Sequence, residues 1–173
     1  MNTLIWLILI SGMNLYFLRN SSDLLVRYFP TRSTQQVFIY YSFCNAQWDS
    51  AQVQSGGDFF DLVISPPENL RLVGVYVKYP EGDIDDNQGM LYLYEVKKSP
   101  RMLLPFSIKA LEKVLTQARK KIINQRHIDE AVALLNYAEG MLEVLPYIKG
   151  SPLEMEKEIM KSEIAGLKKN LAQ

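Results

Sequence analysis

The sequence predicts an α+β protein with an N-terminal hydrophobic helix, a small antiparallel sheet of about four strands and a C-terminal bundle of three helices. Residues 4–18 contain no charged side chain. Residues 36–100 hold short segments rich in β-branched and aromatic residues, with no helical pattern between them. Residues 101–173 carry apolar residues at the three-and-four spacing of amphipathic helices. These observations divide the chain into a helix or anchor (1–30), an antiparallel β region (36–100) and a helical region (101–173) that packs on the sheet, on partners or on both.

The N-terminal segment, LIWLILISGMNLYFL at residues 4–18, is followed by Arg19. As a helix it would span roughly 22 Å, which is short of the roughly 30 Å of a bilayer core. A membrane anchor is favoured over a signal peptide, which lacks its basic n-region and cleavage site here, and over a buried helix or strand. The predicted anchor residues are Leu4, Trp6, Leu9, Leu15, Tyr16 and Leu18. The arginines that follow favour a single-pass protein with its bulk on the cytoplasmic or matrix side; the alternative location is the cytoplasm. A second short helix is predicted at residues 24–29.

Four strands are predicted in the middle of the chain, at residues 36–43, 59–64, 70–79 and 90–97. Within the third, LRLVGVYVKY, alternation places Val73, Val75 and Val77 on one face. We expect Val75 and Val77 to be buried. Because no helical segment separates the strands, the sheet is predicted to be antiparallel.

Three helices are predicted at the end of the chain, at residues 104–122, 128–145 and 151–171. The last one begins with Ser151-Pro152-Leu153-Glu154, the pattern of a capping box with proline at the first helical position. Its apolar seam is thin and its charges are dense, which predicts a contact with a larger protein partner. Residues 101–126 hold seven bases and one acid. This basic block is interpreted as a solvated face that pairs with the acidic helix after it, with a phosphate or partner surface as the alternative.

Composition excludes several classes of site. The formal net charge is zero, so no overall attraction to nucleic acid or anionic lipid is expected. The chain has one cysteine, Cys44, and one histidine, His127. An internal disulfide is therefore impossible, and no cysteine and histidine cluster for zinc is present.

One motif points to chemistry. Glu95 and Lys97 in YLYEVKK would share one face of a strand, and GGDFFDLVI supplies Asp58 and Asp61 upstream. These two fragments, about twenty residues in all, resemble the signature of the PD-(D/E)XK nucleases. The resemblance implies that Asp58, Asp61 and Glu95 would hold Mg²⁺ or Mn²⁺, that Asp61, Glu95 and Lys97 would be catalytic, and that nucleic acid would be the substrate. The other interpretation of Glu95 and Lys97 is an ordinary surface ion pair.

Two functions follow. The favoured one is a non-enzymatic, membrane-anchored accessory or scaffold subunit of a larger complex. It would contact lipid through residues 4–18 and protein partners through the C-terminal helices, with no cofactor and no catalytic residue. The alternative is a small soluble metal-dependent nuclease, in which residues 4–18 belong to the core.

Overall fold

The fold is organised around one central strand, Leu72–Lys78, which is covered on both of its faces. In the computed structural model, which describes residues 12–98 and 101–171, two antiparallel sheets and a layer of helices are stacked. The nine described strands are β1 Met13–Phe17, β2 Leu24–Tyr28, β3 Gln36–Cys44, β4 Gln47–Gln54, β5 Phe60–Ile64, β6 Leu72–Lys78, β7 Ile84–Asp85, β8 Tyr92–Lys98 and β9 Arg101–Phe106. The three described helices are α1 Ile108–Ile123, α2 Ile128–Val144 and α3 Pro152–Leu171.

The strands form two sheets of unequal size. The small sheet has the order β1–β2–β5, and the large sheet has the order β4–β3–β6–β8–β9 with β7 paired to β6. Every pairing is antiparallel. The prediction of one sheet of about four strands is therefore wrong in number, although the antiparallel arrangement is confirmed. Strand β4 was missed because it is largely polar and exposed, and β9 because its residues continue the apolar spacing of α1.

No N-terminal helix exists in the described residues, which corrects the predicted fold. Residues 13–17 form β1 and residues 24–28, predicted as a short helix, form β2 beside it. Met13 and Leu15 are buried while Tyr16 is exposed, which is the two-residue alternation of a strand. Asn20 has a φ of 59° in the connection, where asparagine tolerates the left-handed conformation. An apolar run this short does not distinguish a strand from a helix by periodicity.

The predicted membrane anchor needs the same correction. Leu15 is buried against the core and Leu18 lies in the β1–β2 connection, whereas Leu4, Trp6 and Leu9 lie outside the described residues. Among the residues described, no helix is both long enough and apolar enough to cross a bilayer. This finding contradicts the transmembrane helix and the single-pass membrane location that the sequence predicted.

Two cores lie on either side of the large sheet. Val73, Val75 and Val77 of β6 are completely buried and face the small sheet, where they meet Val26 and Phe60. The burial predicted for Val75 and Val77 is thus confirmed. On the opposite face, Leu72 and Leu93 pack against the helices in a second core. The members of α1, α2 and α3 in that core are Ile108, Leu111, Leu115, Ala118, Leu135, Ala138, Met141, Leu142, Leu153, Met160, Ile164 and Leu167.

The three C-terminal helices are confirmed. Helix α1 begins at Ile108, where the Ser107 hydroxyl accepts a hydrogen bond from the Lys109 N–H. At the start of α3, Ser151 Oγ accepts from the Glu154 N–H, and the Glu154 carboxylate accepts from the N–H of Gly150 at 2.6 Å. The first bond satisfies a backbone donor that the helix start leaves without a partner, and the second ties the preceding turn to the helix.

Ion pairs join the helices to one another. Arg119 of α1 pairs with Glu163 of α3, Lys121 of α1 pairs with Glu130 of α2, and Lys168 of α3 pairs with Glu139 of α2. Two bases of the basic block therefore meet acids of the following helices, as its first interpretation expects. Each pair is partly exposed, so each contributes about 0–1 kcal/mol.

The central strand supplies a test of this architecture. Val75→Asp should unfold the protein, or lower its free energy of unfolding by more than about 4 kcal/mol, because an unpaired carboxylate would enter the core between the sheets. Urea denaturation measures the change. Val63→Asp is the matched control, since Val63 is 54% exposed on β5 and should change stability by less than about 1 kcal/mol. A stable Val75→Asp protein would contradict the assignment of this face.

Candidate functional site

Glu95 and Lys97 lie on the face of β8 that looks toward the helices. Along this strand Tyr92, Tyr94 and Val96 face the small sheet, so the residues between them face the other way. Lys97 Nζ donates to Glu95 Oε1 at 2.5 Å, and the Tyr137 hydroxyl from α2 donates to the same oxygen at 3.3 Å. The Glu95 carboxylate raises the pKa of Lys97 above its ordinary value through this bond. The lysine side chain is 42% exposed, so the pair contributes about 0–1 kcal/mol.

Asp61 lies in the small sheet and is already engaged by an arginine. Arg27 Nε and Nη2 donate to the two carboxylate oxygens at 2.7 and 2.6 Å, a bidentate arrangement. The guanidinium also lies 4.1 Å from the centre of the Phe59 ring. Asp58 is exposed in the bend before β5.

The structure therefore brings Glu95 and Lys97 together but does not bring Asp61 to them. Phe60 and Leu62, the neighbours of Asp61 along β5, face the core between the sheets, so Asp61 points away from it. Glu95 points away from the same core on the other side, and two packed sheets lie about 10 Å apart. Within residues 12–98 and 101–171, no group of three or more His, Cys, Asp or Glu side chains is arranged to hold a metal ion. The nuclease and its Mg²⁺ or Mn²⁺ stay predictions that this geometry does not support.

A buried tyrosine cluster surrounds Asp85 of β7. The hydroxyls of Tyr28 and Tyr92 each donate to one oxygen of Asp85 at 2.7 Å. Tyr28 and Tyr79 hydroxyls are 2.6 Å apart. Because Tyr28 gives its only proton to Asp85, Tyr79 must donate to Tyr28. The result is a hydrogen-bonded chain from the core to β7.

Burial decides the protonation of this cluster. It raises the pKa of Tyr28 and of Tyr92 well above the ordinary value of 10.0, and the hydrogen bonds raise both further. Burial also raises the pKa of Tyr94 to about 12; its hydroxyl donates to the Met13 carbonyl at 2.7 Å. All three tyrosines are neutral at physiological pH, so their hydroxyls orient and join strands and do not act as bases.

Lys157 of α3 is the most unusual ionisable group in the described residues, because it is 2% exposed. Its Nζ donates to Asn45 Oδ1 at 2.8 Å and to the Leu145 carbonyl at 3.3 Å, and it lies 4.4 Å from the centre of the Tyr147 ring. These partners are neutral, so burial lowers the pKa of Lys157 from its ordinary 10.5. The side chain ties α3 to the β3–β4 turn. The spacing of Leu153, Lys157, Met160 and Ile164 could have revealed it, since it places Lys157 in the buried seam.

An open cavity of about 340 Å³ lies beside β1 and the β8–β9 hairpin. Phe17, Leu70 and Val96 form its apolar wall, and Lys98 and Arg101 bring positive charge. The Arg101 guanidinium is already placed over the Phe17 ring at 4.1 Å and donates to the Ser22 carbonyl. One of the two bases that line the cavity is therefore engaged by the protein itself.

Exposed aliphatic side chains gather at one end of the α1–α2 hairpin. Ile123 in the last turn of α1 is 70% exposed, and Ile128 and Val132 in the first turns of α2 are 37% and 38% exposed. Ile128 and Val132 are four residues apart, so they share one side of α2. We call these three residues the hairpin corner. The exposure of Ile128 was not predicted, because this residue continues the apolar spacing of Ala131 and Leu135 in the buried seam of α2.

The tyrosine cluster leads to a test in two parts. Tyr28→Phe should lower the free energy of unfolding by about 1–3 kcal/mol, because Asp85 and Tyr79 each lose a buried partner. Tyr40→Phe is the control, since the Tyr40 hydroxyl makes no hydrogen bond with a described residue and its ring stacks on Tyr76.

Above pH 10 the unfolded chain releases tyrosine protons that the folded protein retains, so wild-type stability should fall as pH rises, and less steeply in Tyr28→Phe. Urea denaturation across this range measures both effects; equal slopes would contradict the buried assignment.

Lys157 should make the stability of the fold rise with pH, which is opposite to the effect of the buried tyrosines. Its folded pKa is lowered, so the unfolded chain binds the proton more tightly and the charge destabilises the fold near neutral pH. This destabilisation disappears as pH rises through the folded pKa toward 10.5. Relative to Lys157→Met, which carries no charge, the wild type should therefore become more stable as pH rises. Denaturant titrations of both proteins at matched pH measure the difference, with Lys113→Met at an exposed position of α1 as the control. A difference that does not change with pH would show that the ammonium is solvated.

No family model, curated protein or solved structure matches this chain, so its function is argued from its own side chains.

Proposed function

We propose that this protein is a non-enzymatic interaction subunit that binds a larger protein partner through the hairpin corner. The observation that carries the proposal is the exposure of Ile123, Ile128 and Val132 at the same end of one helix pair. Single exposed aliphatic residues are common on protein surfaces, but adjacent ones mark interaction sites. The proposal keeps the expected role as an accessory subunit and leaves out the membrane anchor.

The hairpin corner lies at the edge of the helical core. Helix α1 is buried through Leu111, Leu115 and Ala118, and helix α2 is buried through Ala131 and Leu135. At about 100° per residue, Ile123 and Val132 lie on the flanks of these buried seams, whereas Ile128 continues the α2 seam and is 37% exposed at its end. Ile123 and Val132 therefore add apolar surface beside the helical core, and Ile128 extends the edge of that core to the surface.

The surroundings of the hairpin corner suit a protein interface. The Lys121–Glu130 ion pair joins the two helices next to it. Lys120, Arg126 and Asp129 are exposed and flank the corner residues in sequence. An apolar centre with a charged rim is the common composition of protein–protein interfaces.

The arrangement of the acidic residues supports a non-enzymatic role. Glu95 is bonded to Lys97 and Tyr137, and Asp61 is bonded to Arg27 on the other side of the molecule. Each acid has a protein partner that accounts for its position. A nuclease would need two of these carboxylates to share a metal ion.

A double substitution tests the proposal. Ile123→Glu with Val132→Glu should leave the free energy of unfolding within about 1 kcal/mol, because both positions are exposed. The same protein, expressed with an affinity tag in its native cells, should lose the partner that the wild type retains in stoichiometric amount, as measured by quantitative mass spectrometry. Val63→Glu, on the exposed side of β5, is the matched control and should retain that partner.

Three results would contradict the proposal. The first is recovery of the same stoichiometric partner by the double variant, and the second is recovery of no partner by the wild type. The third is cleavage of DNA or RNA by the purified protein that requires Mn²⁺ and disappears in Lys97→Ala. The third result would assign the function to the Glu95 and Lys97 pair instead.

A further inference from the structure

Helix α3 has a second apolar stripe on the side that faces away from the protein. Its inner seam, with Leu153, Met160 and Ile164, is buried in the helical core. On the opposite side, Met155 and Ile159 are each 65% exposed, and Ser162 and Gly166 continue the same line. Their spacing of four, three and four residues is that of a helix which packs against another helix. We call these four residues the outer stripe.

Gly166 is not required by the protein's own packing. A Cβ atom built at this position would meet no heavy atom within 4 Å. Glycine inside a helix destabilises it by about 0.5–1 kcal/mol relative to alanine. A glycine on an exposed helix face has a packing reason if a second backbone approaches closely there.

The order of side-chain sizes along the outer stripe selects an antiparallel partner. The two large residues, Met155 and Ile159, lie in the N-terminal half of α3, and the two small ones, Ser162 and Gly166, lie in the C-terminal half. Two copies of α3 that run in opposite directions place Met155 of one copy against Gly166 of the other. The same arrangement places Ile159 against Ser162, and both pairs share one two-fold axis between Met160 and Lys161.

The charges beside the outer stripe are complementary in the same arrangement. Glu158 lies on the N-terminal side of this axis and Lys161 on its C-terminal side, both are exposed, and within one chain they form a pair at 3.1 Å. An antiparallel second copy brings Glu158 of one chain alongside Lys161 of the other, twice by symmetry. The other flank carries Glu156 and Glu163 in both copies, and Arg119 compensates Glu163 within each chain.

We propose that two copies of this chain form a two-fold symmetric dimer through antiparallel contact of their outer stripes. A closed two-fold contact is the commonest form of homo-oligomer. One helix face per copy buries less than about 1,200 Å² in total, which is the size of weak or transient contacts. We therefore expect a dissociation constant on the order of tens of micromolar.

Sedimentation equilibrium tests the dimer. The wild-type chain of 19.9 kDa should approach twice that mass as its concentration rises to about 200 micromolar. Met155→Glu and Ile159→Glu should each raise the dissociation constant at least tenfold, without loss of the folded state by circular dichroism. Ile123→Glu, at the hairpin corner, should leave the dissociation constant unchanged. A wild type that stays monomeric, or a dimer unaffected by both stripe substitutions, would overturn the proposal.

Charge reversal tests the antiparallel direction. Glu158→Lys alone and Lys161→Glu alone should each weaken the dimer, because like charges would then face each other across it. The double variant, Glu158→Lys with Lys161→Glu, should restore the wild-type dissociation constant. A double variant as weak as the single ones would show that these residues are not paired between copies.

Disulfide cross-linking tests the antiparallel direction independently. In a Cys44→Ser background, a chain with Met155→Cys mixed with a chain with Gly166→Cys should form a mixed disulfide under mild oxidation. A parallel contact would instead join two Met155→Cys chains to each other and would contradict the proposed arrangement. A failure of the dimer proposal can be told apart from a failure of the proposed partner binding at the hairpin corner, because the two proposals use different residues and different measurements.

Discussion

The burial of β6 on both faces is the constraint on which the other layers depend. Val73, Val75 and Val77 fill the core under the small sheet, and Leu72 contributes to the core under the helices. Gly74 lies between them on the helix-facing side, and a Cβ there would come 2.7 Å from Pro146. Only glycine allows the α2–α3 connection to approach the strand this closely.

That close approach positions the residues that hold α3. Next to Pro146, the Tyr147 N–H donates to the Asn45 carbonyl at 3.1 Å, and Trp48 Nε1 donates to the Tyr147 carbonyl at 3.0 Å. Lys157 then reaches Asn45 and lies over the Tyr147 ring. The buried lysine is thus held by neutral partners whose positions follow from the contact at Gly74. This explains how an ammonium group is accommodated there without a carboxylate.

The fold could be predicted from the sequence wherever periodicity was long and unbroken. The three C-terminal helices have seams of several turns, and β6 has a clear alternation of valines, so both were predictable. Residues 13–17 were not, because five residues of an apolar run fit a helix as well as a strand. The strand is decided by the pairing of β1 with β2 and of β2 with β5. In the second pairing, Tyr28 lies opposite Phe60, which is far from it along the chain. Strand pairing between segments this far apart in the chain leaves no local pattern in the sequence.

The functional residues were harder to predict for a related reason. Glu95 and Lys97 do share a face, as alternation requires, but the position of Asp61 depends on which sheet β5 joins. The Asp85 cluster assembles residues from β2, β7 and β8 and the segment after β6, and each looks ordinary in its own segment. The exposure of Ile123, Met155 and Ile159 likewise depends on which side of each helix meets the sheet.

The position of the helices at the end of the described chain has a consequence for synthesis on the ribosome. The large sheet presents Trp48, Leu72, Tyr76 and Leu93 to the helical layer, yet Leu167 of that layer is made 69 residues after Lys98. At about 5–20 residues per second, the apolar face of the sheet stays uncovered for roughly 3–14 s. During that interval the nascent chain exposes a surface that chaperones bind and that promotes aggregation. Slower translation of residues 101–167 should therefore lower the yield of folded protein more than the same delay in the first strands.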